Sequence, residues 1–254
     1  MINLPLVFKT YQDVKNNLAY WTFVILVAMT LTFYYIVLGP TYRQAIDKFV
    51  QSLSSSPIYS ALWLSTLTLF ESFVAVCLIH IFQIHDNVYD KLIVKWREKF
   101  DVEFILPKLT EQISYALPKN FLDYAIRYRY KFMKPYYDLV GDGKPGIADN
   151  TRVRFYERVT GYWVTQLNEI FILLFLIMTS FYVIFLDTSL TLQTFASLVL
   201  VLVGLGLLNR GFVRMAQQAT AQATLDEIEE ILAKSENLPK LQEQYKKLCA
   251  EHKI

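Results

Sequence analysis

Four stretches of this chain are long and apolar enough to cross a lipid bilayer, and they constrain its fold more than any other feature. They lie at about 18–38, 58–84, 164–186 and 190–208. An apolar helix needs roughly 20 residues to cross a hydrocarbon core about 30 Å thick, and the cores of soluble proteins rarely contain four such runs. The sequence therefore predicts an all-α, polytopic membrane protein with four transmembrane helices and a helical cytoplasmic region.

Tyrosine and tryptophan residues stand at the ends of these stretches, where lipid headgroups would lie. Such residues are enriched at both membrane–water interfaces because their rings are apolar and carry one polar atom. The residues in these positions are Tyr20, Trp21, Tyr34, Tyr35, Tyr59, Trp63, Tyr162 and Trp163. This pattern supports the four predicted spans.

The basic residues near the ends of the spans predict the orientation of the chain. Eleven of them lie on the side that holds the N-terminus: Lys9, Lys15, Lys91, Lys95, Arg97, Lys99, Arg152, Arg154, Arg158, Arg210 and Arg214. The opposite side has two, Arg43 and Lys48. Cytoplasmic loops carry the excess of Lys and Arg. Both termini and the long loop between spans two and three are therefore predicted to be cytoplasmic, with the protein in a bacterial inner membrane.

The predicted spans divide the chain into four regions. These are an N-terminal segment with spans one and two (1–84), a cytoplasmic helical loop domain (85–160), spans three and four (161–209), and a cytoplasmic C-terminal helical hairpin (210–254). The outward parts are a loop at 39–57 and a turn at 187–189. Because so little lies outside, an extracellular ligand-binding role is not expected.

Helical periodicity continues on the cytoplasmic side. Span two is predicted to extend to about residue 100, Pro107 to break the pattern, and a short helix to follow at 110–117. Span four is predicted to leave the membrane as an uninterrupted helix, followed by a turn at 235–239. A last helix would then pack an apolar seam on that extension or on another subunit. The seam residues are Leu238, Leu241, Tyr245, Leu248 and His252, and their partners are Leu225, Ile228 and Leu232.

A basic, tyrosine-rich amphipathic helix is predicted within 117–138. Its candidate lipid- or ligand-contacting residues are Arg127, Tyr128, Arg129, Tyr130, Lys131 and Lys134. Such a helix could pack on its own domain, lie on the acidic inner leaflet, or stack on the bases of a nucleotide or RNA. A formal net charge of +2 does not suggest nucleic acid, so a nucleotide or nucleic acid is the least favoured partner.

The sequence contains no familiar catalytic or metal-binding motif. Of its three histidines, His80 and His85 are five residues apart, which does not place two metal ligands on one helix face. The glycine-rich stretch at 141–146 lacks the spacing and the hydroxyl residue of a phosphate loop and is typical of a turn. Cys77 and Cys249 show no disulfide pattern. We therefore predict that the protein is not an enzyme and uses no metal and no cofactor.

Glu71 is the sharpest chemical clue, because it is the only charged residue in the second stretch and lies at its midpoint. An acidic side chain at the bilayer centre costs at least ~2.5 kcal/mol. No Lys or Arg lies inside any predicted span, so the chain offers no basic partner at that depth. Ser65, Thr68, Ser72 and Ala75 share its helix face, which is small and hydroxylated and allows helices to approach closely.

Two interpretations of Glu71 remain open. In the first, it is neutral and donates a hydrogen bond to a polar group on another span. In the second, copies of Glu71 surround the axis of a homo-oligomer, where a ring of carboxylates favours cations or relays protons. The candidate pore or ion-interacting residues are Glu71, Ser72, Thr68, Ser197 and Gln193.

A secondary polar pair is predicted nearer the cytoplasmic ends of the spans. Glu169 in span three lies at roughly the depth of His80 in span two, so a structural hydrogen bond between them is expected. In span four, Gly204 and Gly206 offer a site for close helix packing.

These features favour a channel over an enzyme. The function predicted first is an oligomeric inner-membrane channel or pore-forming effector that is gated through its cytoplasmic helices. A protein that depolarises the membrane in antiviral defence would have this form. The alternative is a non-enzymatic membrane anchor or scaffold that recruits a cytosolic protein through 85–160 and 210–254.

Overall fold

The computed structural model describes residues 9–38, 40–53, 57–81, 96–113, 117–185 and 192–252, and these residues form helices and turns without a β-strand. The α-helices are α1 (Tyr11–Thr32), α2 (Pro40–Leu53), α3 (Pro57–Ile81), α4 (Trp96–Phe100), α5 (Leu106–Ile113), α6 (Phe121–Arg127), α7 (Arg129–Phe132), α8 (Lys134–Val140), α9 (Asp149–Phe185), α10 (Leu192–Ala233) and α11 (Asn237–Glu251). Short π-helical segments at Phe33–Val37 and Asp101–Ile105 follow α1 and α4. The predicted all-α class is confirmed for these residues.

Three helical segments are long and apolar enough to cross a membrane: Tyr11–Tyr35, Asp149–Phe185 and Phe195–Ala233. Helices α9 and α10 contain 37 and 42 residues, so at 1.5 Å per residue they are about 55 and 63 Å long. Each is therefore longer than a hydrocarbon core of about 30 Å. The uninterrupted extension predicted for span four is confirmed by α10.

The remaining predicted span, 58–84, coincides largely with α3. Within α3, the apolar segment whose side chains are described is Ser65–Leu78, which is shorter than a span. The predicted extension of span two falls mostly on 82–95, and the predicted turn at 187–189 falls on 186–191. Both lie outside the described residues, so these two features stay predictions.

The chain divides into two compact units. The first unit comprises Met1–Lys15, Gln83–Gly161 and Ala216–Ile254, and the second comprises Asn16–Phe82 and Tyr162–Met215. Helices α1, α9 and α10 each contribute residues to both units. Most of the sequence predicted to be cytoplasmic belongs to the first unit, and most of the four predicted spans belongs to the second.

The core of the second unit is aromatic and aliphatic. Val37, Phe175, Tyr182 and Leu202 are buried together. The ring of Phe33 packs edge-on against Phe175 and Tyr182, with centroid distances of 6.2 and 5.7 Å. Residues of α1, α9 and α10, together with the π-helical segment, therefore hold this unit together.

Large apolar side chains cover much of the outer surface of α9 and α10. Their exposed fractions reach 72% at Leu200, 69% at Leu207 and 56% at Phe181. Soluble monomers rarely expose contiguous apolar surfaces of this kind. The surface of the second unit therefore fits contact with lipid.

Residues 40–53 form α2, where the sequence analysis expected only a loop. The Arg43 guanidinium donates hydrogen bonds to the carbonyls of Tyr35 (2.8 Å) and Leu38 (3.0 Å), and the Tyr34 hydroxyl donates to Asp47. The two Arg43 bonds satisfy carbonyls at the end of the preceding helical segment, where helical carbonyls lack partners within the helix. The prediction missed α2 because it considered 39–57 only as a connection.

The first unit has a core of aromatic rings. Phe121 packs edge-on against Phe132 at 5.5 Å and against Tyr245 at 5.4 Å, and Tyr245 stacks on Phe132 at 6.4 Å. Helix α11 therefore packs on α6 and α7. Its buried seam is Leu241, Tyr245 and Cys249, whereas Leu238 and Leu248 of the predicted seam are only half-buried.

Two helix boundaries in the first unit differ from the prediction. Pro107 is the second residue of α5, because the first turn of a helix needs no N–H from that position. The single helix predicted within 117–138 is instead three short helices, α6, α7 and α8, interrupted at Tyr128 and Met133. Pro135 stands in the first turn of α8, where a continuous helix would have needed its missing N–H.

The glycine-rich stretch forms the predicted turn between α8 and α9. Gly143 has a φ of 69°, a left-handed conformation that favours glycine, and a Cβ at Gly146 would lie 2.3 Å from the Leu139 carbonyl oxygen. The buried Arg152 closes this turn by donating to the carbonyls of Val140 (3.1 Å) and Lys144 (2.7 Å).

Candidate functional site

Glu71 lies on the exposed surface of α3 among large apolar side chains. Phe70 is 64% exposed and Phe73 is 59% exposed, and Glu71 is exposed as well. Among the described residues, no hydrogen bond or ion pair engages its carboxylate. A carboxylate on an apolar helix needs water, a cation or a hydrogen-bond donor. The described part of a single chain supplies no such donor.

The small face predicted around Glu71 divides in the structure. Thr68 and Ser72 are buried, whereas Ser65 is exposed and Ala75 is half-buried. The Ser72 hydroxyl has no hydrogen-bond partner in the described part of the chain, and an unsatisfied buried hydroxyl costs about 1–3 kcal/mol. An exposed carboxylate and a buried, unpaired hydroxyl therefore occupy adjacent positions near the middle of α3.

The other predicted pore residues are not seen to join Glu71. Ser197 is exposed on α10, and the side chain of Gln193 lies outside the described residues. On α9, Thr179 is fully buried and its hydroxyl has no partner within the described ranges. A hydrogen bond from Glu71 to another span, as the structural interpretation requires, is not observed among the residues that the structure describes.

Glu169 pairs with Arg210. The distance between Glu169 Oε1 and Arg210 Nη1 is 3.6 Å, and the Glu169 side chain is 33% exposed. The side chain of His80 lies outside the described residues, so the predicted contact between His80 and Glu169 stays a prediction. In the sequence, Arg210 serves only as an orientation signal, and its pairing with Glu169 could not be predicted.

An amide network that the sequence analysis missed joins α9 and α10. Asn168 Nδ2 donates to Asn209 Oδ1, and Asn209 Nδ2 donates to the Thr165 carbonyl, both at 2.9 Å. A Cβ added at Gly206 would lie 3.9 Å from Ile172 Cγ2, in ordinary contact. The amide hydrogen bonds and the close packing at Gly206 hold α9 and α10 together. The sequence does carry one indication of this network, because Asn168 and Asn209 lie near the predicted cytoplasmic ends of the apolar stretches 164–186 and 190–208.

The predicted basic aromatic residues divide into exposed and buried members. Tyr130 is 84% exposed, and the exposed residues beside it are Arg127, Tyr128, Lys131 and Lys134.

Arg129, in contrast, is buried within the first unit. Its Nη1 donates to Asp101 Oδ2 at 3.0 Å, and Asp101 Oδ1 accepts a bond of 2.7 Å from the Tyr137 hydroxyl. Arg129 is therefore not available on the surface where the sequence analysis placed it. A buried acid 28 residues away was not visible as its partner.

The first unit also holds a buried carboxyl group that the sequence analysis missed. Glu227 is 1% exposed and accepts a hydrogen bond of 2.7 Å from the Tyr136 hydroxyl. It lies on α10 well beyond the apolar stretch that ends near residue 208. Burial raises the pKa of Glu227 to about 8, although the Tyr136 bond and the Arg152 charge act in the opposite direction. Glu227 lies three residues after Thr224 and four before Ile231, both of which are buried. This helical spacing was the available indication that Glu227 shares their buried face.

Among the described residues, no three His, Cys, Asp or Glu side chains come together as metal ligands. The described carboxylates with buried contacts, such as Asp101 and Glu227, are engaged by Arg or Tyr. These contacts stabilise the fold of the first unit.

One comparison with known proteins finds a match. A family model described as the YmfE protein family matches residues 10–240, a range that includes parts of both units. No curated protein and no solved structure matches the chain.

Proposed function

The chain belongs to the YmfE protein family, and we propose that it is an oligomeric membrane channel in which copies of Glu71 surround the ion path. The observation that carries this proposal is the exposed Glu71 carboxylate in the middle of an apolar helix. In lipid, an acid at this depth costs at least about 2.5 kcal/mol. At a water-filled axis between subunits, the carboxylate stays hydrated and attracts cations.

Helix α3 has the free surface that such an assembly needs. Between Ser65 and Leu78, Thr68 and Ser72 are the buried residues, and the other side chains are exposed or half-buried. A second copy of the protein could therefore pack against α3 without displacing much of the chain to which α3 belongs.

Four spans and two cytoplasmic termini complete the proposal, with 58–84 as the second span of a protein of the bacterial inner membrane. The first unit gathers Met1–Lys15, Gln83–Gly161 and Ala216–Ile254. Three segments that fold together must lie on one side of the bilayer, which supports the orientation that the basic residues indicate.

The first unit is the proposed gate. Helices α9 and α10 each contribute residues to both units, so binding of a cytosolic ligand or protein to the first unit could act on the second through continuous helices and increase the open fraction of a channel that also opens without it. A channel that opened in this way would depolarise the membrane, as a defence effector does.

Ion flux from liposomes tests the proposed function. Purified full-length protein is expected to release potassium from loaded liposomes, and the rate should rise more steeply than protein density because only oligomers conduct. Liposomes without protein are the control. An absence of flux at every protein density and membrane potential would exclude the channel. The protein would then be an anchor that recruits a cytosolic partner through its first unit.

A further inference from the structure

A groove on the first unit is lined by lysines from two separate parts of the chain. Lys131 belongs to α7, Lys134 begins α8 and Lys247 lies on α11, and all three side chains are exposed. The groove has a volume of about 210 Å³, and Pro135 and Leu248 form its apolar lining. The fold therefore brings three lysine side chains to one concave surface.

Two carboxylates also line the groove without neutralising it. Asp138 and Glu251 each follow a groove lysine by four residues on the same helix. At the same spacing elsewhere in the first unit, Lys99 and Glu103 form an ion pair of 3.9 Å. Among the described residues, the groove lysines form no such pair, so their ammonium groups remain available to a ligand.

Lys131 faces a second nitrogen. Its Nζ lies 3.5 Å from His252 Nε2, and the His252 ring stacks on Tyr128 with a centroid distance of 5.1 Å. Stacking fixes the imidazole beside the ammonium group. An oxyanion beside them would accept a charge-assisted hydrogen bond from the Lys131 ammonium group, and a second hydrogen bond from His252 when the Nε2 atom carries the imidazole proton.

We propose that this groove binds the phosphate group of an anionic ligand through Lys131, Lys134, Lys247 and His252. Lysine is a frequent phosphate ligand because its ammonium group is a compact point charge with three donors. Pockets for drug-sized molecules measure about 300–1,000 Å³, so a groove of about 210 Å³ suits a free phosphate or a lipid headgroup better than a nucleotide. This inference does not depend on Glu71 or on ion conduction.

Equilibrium dialysis of radiolabelled inorganic phosphate tests the site, with the full-length protein in neutral detergent at constant ionic strength. We expect saturable binding of about one phosphate per chain. The double variant Lys131→Gln/Lys247→Gln should weaken binding at least about tenfold, because it removes two of the three ammonium groups that would bind the phosphate through charge-assisted hydrogen bonds. The matched control, Lys99→Gln/Lys240→Gln, removes two exposed charges outside the groove and should bind like the wild type.

Lipid competition identifies the source of the phosphate. If phosphatidylglycerol is retained by the wild type more than phosphatidylcholine, and the groove variant loses that preference, the ligand is a lipid headgroup. If inorganic phosphate binds but phosphatidylglycerol does not displace it, the ligand is a free phosphate. The inference is overturned if neither probe binds selectively, or if the control variant loses binding as much as the groove variant does. Unchanged thermal unfolding of both variants would show that they remain folded.

Discussion

Replacing Glu71 by Gln reduces cation flux by at least about tenfold in the proposed channel and leaves its assembly intact. The substitution keeps the shape and the hydrogen-bonding capacity of the side chain and removes its charge. A tenfold change corresponds to about 1.4 kcal/mol, and two unit charges 4 Å apart interact by about 4 kcal/mol at an effective dielectric constant of 20. Flux from liposomes and the mass of the oligomer in detergent measure the two effects.

Glu169→Gln is the matched control for this prediction. It removes one negative charge from the same unit, but Glu169 is paired with Arg210 and is not in the proposed ring, so cation flux should persist. If Glu71→Gln conducts like the wild type and Glu71→Leu only lowers expression, the carboxylate has a structural role and the proposed ion path is wrong.

The second large effect concerns the pH dependence of stability. Burial raises the pKa of Glu227 from 4.5 to about 8, so the folded protein holds a proton that the unfolded chain releases. The stabilisation is complete below about pH 4.5 and is lost as the pH rises through about 8. One pKa unit corresponds to about 1.4 kcal/mol, so the loss is on the order of a few kcal/mol.

Thermal unfolding of the full-length protein between pH 5 and pH 9 measures this loss, for which we expect a fall in melting temperature of roughly 10 °C. Glu227→Gln should flatten the dependence, because it keeps an acceptor for the Tyr136 hydroxyl and cannot ionise. Glu229→Gln changes an exposed acid of the same helix and should retain the wild-type dependence. Parallel pH profiles for all three proteins would contradict a role for Glu227.

The helices of the second unit could be predicted well because their signal is local. Runs such as 164–186 and 190–208 are largely apolar, and their described residues lie in α9 and α10. The extension of α10 to Ala233 could likewise be read from helix-forming residues without a proline. What the sequence could not supply was the partner of each polar residue.

The polar contacts that were missed join residues that are distant in sequence. Arg129 looked like a surface cation, but it is buried and pairs with Asp101, which also accepts a hydrogen bond from Tyr137. Glu227 finds Tyr136 across 91 positions. Helical periodicity assigns a residue to one face of its own helix, but it does not show which other helix packs against that face. For the same reason, the exposure of Glu71 on α3 could not be derived from its spacing.

Cross-linking at position 71 in the membrane tests the central claim most directly. The experiment places a single cysteine at Glu71→Cys, with the free Cys77 and Cys249 replaced by serine. We expect oxidation to join subunits efficiently at this position. The control, Phe73→Cys, lies two residues further along, about 200° around the helix, and should cross-link far less. Monomers alone at position 71, or equal cross-linking at both positions, would contradict an assembly in which copies of Glu71 meet.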